Sequence, residues 1–252
     1  MNKGQGEELF FRMVFLSLFG IATGFLEASV VIYLREIYYP EGFAFPVKPV
    51  IIGKLSVEYL REISTIVILF SVSMLTGRNR AERLSAFLYS FGIWDIFYYV
   101  WLKILLDWPS TLLTWDILFL IPVVWVGPVL APVICSLTMV VIALYIMYFN
   151  RQGYSAKVFL HEGGIFVSGA LLVFMTFIWD YSKILIQGRF ISSFLTLRTS
   201  PALEEIIAHH VPTIYNWPLF ALGEVLIIAP FVSIHRRMKK KKYKYSISSS
   251  YP

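Results

Sequence analysis

Cysteine occurs once in the 252 residues, at position 135. A single thiol excludes an intrachain disulfide, a CxxC redox pair and a metal site built from thiolates. Charge is scarce too. Asp, Glu, Lys and Arg make up 15% of the chain, against ~25% in soluble domains. Familiar catalytic signatures are missing: there is no G-x-S-x-G elbow and no Walker A loop. His161-Glu162-Gly163-Gly164 begins like a zincin motif, but position 165 is Ile where the second histidine belongs. No repeat of fixed period is present.

What fills the chain is apolar: 58% of residues are hydrophobic and 17% aromatic. This composition makes lipid the solvent for most of the molecule, and the length suits one membrane domain. The opening residues MNKGQGEELFFR are balanced in charge. The apolar run behind them is too long for a secretory signal and lacks an A-x-A site, so it reads as a first membrane helix.

A crossing helix needs ~20 apolar residues. The sequence predicts spans near 10–35, 56–76, 84–106, 127–149, 158–187 and 217–235. Pro109, Pro122, Pro128 and Pro132 interrupt the apolar stretch between the third and fourth, so residues 110–121 read as a short re-entrant or interfacial helix. The predicted fold is therefore all-α: a polytopic membrane protein with six transmembrane helices and this short extra helix. Residues 1–236 form one membrane domain, and 237–252 a basic, disordered tail.

Net charge is +6, and much of the excess lies in the tail, from Arg236 to Lys244. Such a cluster beside an apolar helix marks orientation and an anionic lipid surface rather than nucleic acid. With six spans and an inside tail, 14 of the 22 basic residues are cytoplasmic, among them the three arginines of TGRNRAER. This predicts a cell-membrane protein with both termini inside and the longer loops near 37–55, 107–126 and 188–216 outside. In the last of these, Ser200 and Pro201 open a short amphipathic surface helix reaching His210.

Against this background the intramembrane acids stand out. Asp95 sits in FGIWDIFYYVW, Glu27 in the first span, Glu62 in the second turn of the second, and Glu224 about two turns into the sixth. Asp116 belongs to the extra helix. A carboxylate at mid-bilayer costs ~2.5–3.5 kcal/mol on insertion scales, so these groups face the protein interior or water and find partners. Acids at similar depth on several helices predict an outward-facing polar cavity, with Glu27, Asp95 and Glu224 at its centre and Glu62, Tyr99 and Asp116 around it. The alternative is that each acid is glue between helices. Asp95, Tyr99 and Lys103 share one helix face, too far apart for a direct Asp95–Lys103 pair. Gly20 and Gly24 form a G-x-x-x-G that admits a close helix neighbour beside Glu27. Glu58 reads as a helix-start acid, and Asp180 with Lys183 as a surface pair.

A metal ion is the only cofactor in view, with His209 and His210 its weak candidates. Adjacent on one helix, they point ~100° apart and would need outer carboxylates such as Glu62 to complete a site. Three functions follow. The acids bind a cation or small ligand or relay protons, as in a transporter. They serve a membrane-embedded metal-dependent or acid/base enzyme on a lipid-soluble substrate. Or they hold together a non-catalytic subunit or assembly factor, whose partners are other membrane proteins or further copies of the chain.

Overall fold

The computed structural model describes residues 3–46, 55–121, 123–152, 158–187 and 209–248. Among them are six helices: α1 (Lys3–Tyr38), α2 (Leu55–Thr76), α3 (Arg80–Leu106), α4 (Leu130–Arg151), α5 (Leu160–Gln187) and α6 (Trp217–Ser248). Two strands, β1 (Trp115–Phe119) and β2 (Trp125–Pro128), lie between α3 and α4. Five helices are long and apolar enough to cross a membrane. Large apolar side chains such as Phe15, Leu75, Val141 and Val225 stand exposed on their outer faces.

The helix outside that group of five is α3. Its aromatic middle, Asp95 and Lys103 make it less apolar, and its position explains why this is tolerated. It packs against α1, α2 and α4, so neighbouring helices cover much of it. Asn79 caps its start by accepting the Glu82 N–H at 3.0 Å. It stops at Asp107, whose left-handed φ of 53° suits Asp better than most residues.

Contacts between side chains set the helix directions. Along α1 and α3, Arg12 meets Glu82, Ser17 meets Tyr89 and Gly24 meets Trp94, so the two run parallel. Ser85 donates to the Ala143 carbonyl while Gly92 abuts that of Ser136, so α3 and α4 are antiparallel. Glu27 lies beside Thr65 and Arg12 near Thr76, which makes α2 antiparallel to α1. Thr176 meets Tyr215 and Glu162 meets Arg237, which makes α5 and α6 antiparallel. Glu224 meets Thr138 and Phe231 meets Tyr145, so α4 and α6 are parallel. The six helices thus alternate in direction along the chain.

Lipid tails are as apolar as Leu, so such a bundle is held by close packing and interhelical hydrogen bonds, the latter averaging ~0.6 kcal/mol each. Two glycines permit close approaches around α3. A Cβ on Gly24 would lie 2.8 Å from the Trp94 carbonyl oxygen, and one on Gly92 2.7 Å from that of Ser136. The first contact seats α1 against α3 beside Glu27. The second, one turn before Asp95, sets Ser136 of α4 within hydrogen-bonding distance of that carboxyl.

The short helix expected at 110–121 is replaced by a β-hairpin. Residues 110–114 form a turn pinned by hydroxyls, with Ser110 Oγ 3.1 Å from Thr114 Oγ1 and the Thr111 N–H donating to the same oxygen. Strands β1 and β2 then pair antiparallel, Asp116 opposite Gly127 and Ile117 opposite Val126. A short apolar run bounded by prolines suits a strand as well as a helix, and its Trp, Ile, Phe and Val content favours the strand. Because α3 and α4 are antiparallel, the hairpin leaves and re-enters the bundle at one end. The surface helix expected from Ser200 and Pro201 lies outside the described residues, apart from His209 and His210 themselves. At the other end of the chain α6 runs on through the basic residues to Ser248.

Candidate functional site: a carboxylate-lined cavity beneath the hairpin

The hairpin closes over a cavity of about 150 Å³ at the end of the bundle opposite the TGRNRAER turn. Helical spacing explains how the first two helices line it. Glu27, Val31 and Arg35 recur every four residues and share one face of α1, while Glu58, Arg61 and Glu62, at i, i+3 and i+4, share one face of α2. Asp95 arrives from α3 and Asp116 from β1. Five carboxyl groups and two guanidinium groups therefore surround one small space.

The two arginines are spoken for. Arg61 pairs with Glu27 on the neighbouring helix and with Glu58 on its own, the latter at 2.8 Å. Thr65 Oγ1 also donates to Glu27, at 3.1 Å. Arg35 Nη2 donates to Asp116 Oδ1 at 2.9 Å, in a pair closed off from solvent. Its guanidinium lies 3.7 Å from the centroid of the Trp108 ring and 4.6 Å from that of Phe43, in a corner formed by two rings set edge to face, and cation–π attraction to both holds it there. Burial pushes the Asp116 carboxyl above the usual range, against the pull of Arg35.

Among the described residues, Glu62 and Asp95 have no arginine paired with them. Both Glu62 oxygens face the backbone N–H of Leu120, at 2.9 and 3.1 Å. Strand β1 ends at Phe119, so that N–H has no place in the ladder, and the carboxylate satisfies it instead. Asp95 accepts from Ser136 Oγ at 2.6 Å on Oδ2. Its other oxygen makes no hydrogen bond to a described residue, and its partial exposure is toward the cavity.

Of the residues expected at the site, Glu27, Glu62, Asp95 and Asp116 meet around this cavity. Tyr99 is buried one step behind it and donates to Asp116 Oδ2 over a long 3.4 Å. Glu224 stands elsewhere. It is buried between α6 and α4, where Thr138 Oγ1 donates to it at 2.7 Å and Cys135 Sγ lies at 3.4 Å. Lys103 turns to Asp107, at 2.7 Å, and holds that carboxyl below the usual range. His210 Nε2 lies 3.9 Å from Asp180 Oδ2, while Lys183 sits over the Trp179 ring instead of pairing with Asp180. Neither His209 nor His210 lines the cavity beside Glu62. Among the described residues no three His, Cys, Asp or Glu side chains converge as a metal site.

Sequence reasoning missed Arg35, Arg61, Trp94 and the inward role of Glu58. The Glu27-Val31-Arg35 spacing was a usable signal, since it places a cation two turns from an intramembrane acid on the same face. Trp94 carried none, because an aromatic beside Asp95 looks like any membrane tryptophan. No protein-family model, curated protein or solved structure matches the chain.

Proposed function

We propose that the chain is a six-span, multi-pass protein of the cell membrane with both termini in the cytoplasm, and that its cavity opens outward and binds a small cationic group, as in a transporter or solute-binding membrane protein. The observation that carries this reading is the charge imbalance. Among the described residues five carboxyl groups face two guanidinium groups, an excess of three acids over fixed positive charges, and Glu62 and Asp95 pair with neither arginine. Burying unpaired charge is costly, and either a proton or a cationic ligand must balance it. Aromatic neighbours, Trp94 and Tyr98 among them, add faces that attract organic cations.

The placement of basic residues supports the orientation, because the TGRNRAER turn and the basic tail both lie at the end remote from the cavity.

Calorimetric titration of the detergent-purified protein with isobutylamine tests the reading. Saturable binding that Asp95→Asn weakens at least tenfold is expected. Absence of binding in the wild type, or equal binding in the variant, would overturn it.

A further inference from the structure

The acids of the cavity fall into two groups, each built around one arginine. Arg35 pairs with Asp116. Tyr99, one turn along α3 from Asp95, donates to that same carboxyl, which places Asp95 beside this pair. Arg61 pairs with Glu27 and Glu58, and Glu62 follows it on the cavity-lining face of α2. Among the described residues the first group therefore holds two carboxyl groups to one guanidinium, and the second three to one. Both are short of positive charge, and they are separate. Asp116 and the Leu120 N–H that Glu62 holds are four residues apart along the strand and its end, a path of up to ~13 Å. Among the described residues no three of these acids converge as a metal site. Much of the remaining lining is apolar, Val31, Leu34, Leu118 and Val124 among it.

We propose that the ligand is a small aliphatic diamine, of the size of butane-1,4-diamine, with one ammonium at Asp95 and the other at the group of Glu27, Glu58 and Glu62. The assignment rests on the cation-binding reading above and narrows it. Charge sets the number of ammonium groups. A monocation relieves one group of acids and leaves the other with its surplus, whereas a dication supplies one positive charge to each. One acid of the surplus is then left for a proton. Separation sets the form. A metal dication needs its oxygen ligands within ~2.0–2.6 Å of one point, which acids in two groups do not provide, while two ammonium groups joined by a chain reach both. The chain between them buries its methylenes against the apolar walls. Size sets the length: a cavity of about 150 Å³ admits a molecule of benzene dimensions, or roughly six to eight non-hydrogen atoms. Butane-1,4-diamine and pentane-1,5-diamine fall in that range, and the triamines built from them exceed it.

The test compares three probes: butane-1,4-diamine, butylamine, which is the same chain with a single ammonium, and magnesium chloride. Each is titrated calorimetrically into the full-length protein in mild detergent at one ionic strength. The diamine is expected to bind at least tenfold more tightly than butylamine, and Mg²⁺ is expected not to displace it at equal concentration. If butylamine binds as tightly as the diamine, the two-ended ligand is overturned while the cation-binding reading stands. If Mg²⁺ displaces the diamine at equal concentration, a point charge suffices and the diamine is again overturned while that reading stands. If neither amine binds, both fail. Glu62→Gln keeps an acceptor for the Leu120 N–H and removes one charge from the second group of acids. It is expected to narrow the advantage of the diamine over butylamine severalfold, and an unmoved ratio overturns the assignment.

Discussion

Arg35 and Asp116, 81 residues apart in the chain, form an ion pair at 2.9 Å that is almost wholly buried and ties the end of α1 to the first strand of the hairpin. Breaking one side of such a pair leaves an uncompensated buried charge, a loss of ~3–5 kcal/mol. Asp116→Asn and Arg35→Met should each lower the unfolding temperature in detergent substantially. The double variant should be no worse than the poorer single one, because it removes both charges. A double-mutant cycle measures this directly, and simple additivity would show that the two residues act independently.

Glu62 serves the hairpin through an uncharged partner, the Leu120 N–H. Glu62→Gln retains an acceptor there and should be tolerated within ~1 kcal/mol. Glu62→Leu strands the N–H and should cost ~1–3 kcal/mol. Amide hydrogen exchange reports the difference, since Leu120 should lose protection in the Leu variant and keep it in the Gln variant.

Glu224 separates the cavity from mere burial of acids. It bonds to Thr138 across α6 and α4 and does not line the cavity. Glu224→Gln should therefore leave isobutylamine affinity within about twofold, an effect under ~0.4 kcal/mol, where Asp95→Asn abolishes most of it. Equal losses in the two variants would mean that Glu224 belongs to the binding site after all.

The proposed crossing of α3 can be examined separately, because this helix is not among the five long and apolar enough to span by composition. In a Cys135→Ala background, cysteines introduced at the exposed positions Arg78 and Thr111 flank it. A membrane-impermeant thiol reagent should label Thr111→Cys in intact cells and Arg78→Cys only after permeabilisation. Labelling of both from one side would remove α3 from the spans.

Composition and run length determined that this is a helical chain with segments able to cross a membrane, because transfer into lipid depends on the summed polarity of each segment and little on its neighbours. The same argument marked Glu27, Glu62 and Asp95 as residues that cannot face lipid. It could not say which of them meet. Only the tertiary structure decided that Gly24 and Gly92 bring three helices close enough for Glu27 and Asp95 to share a cavity while Glu224 pairs with Thr138 on the far side of α4. The hairpin was hidden for a related reason. A short apolar run satisfies helix and strand alike, and the outcome here coincides with long-range partners, Arg35 for Asp116 and Glu62 for Leu120, that no local pattern contains.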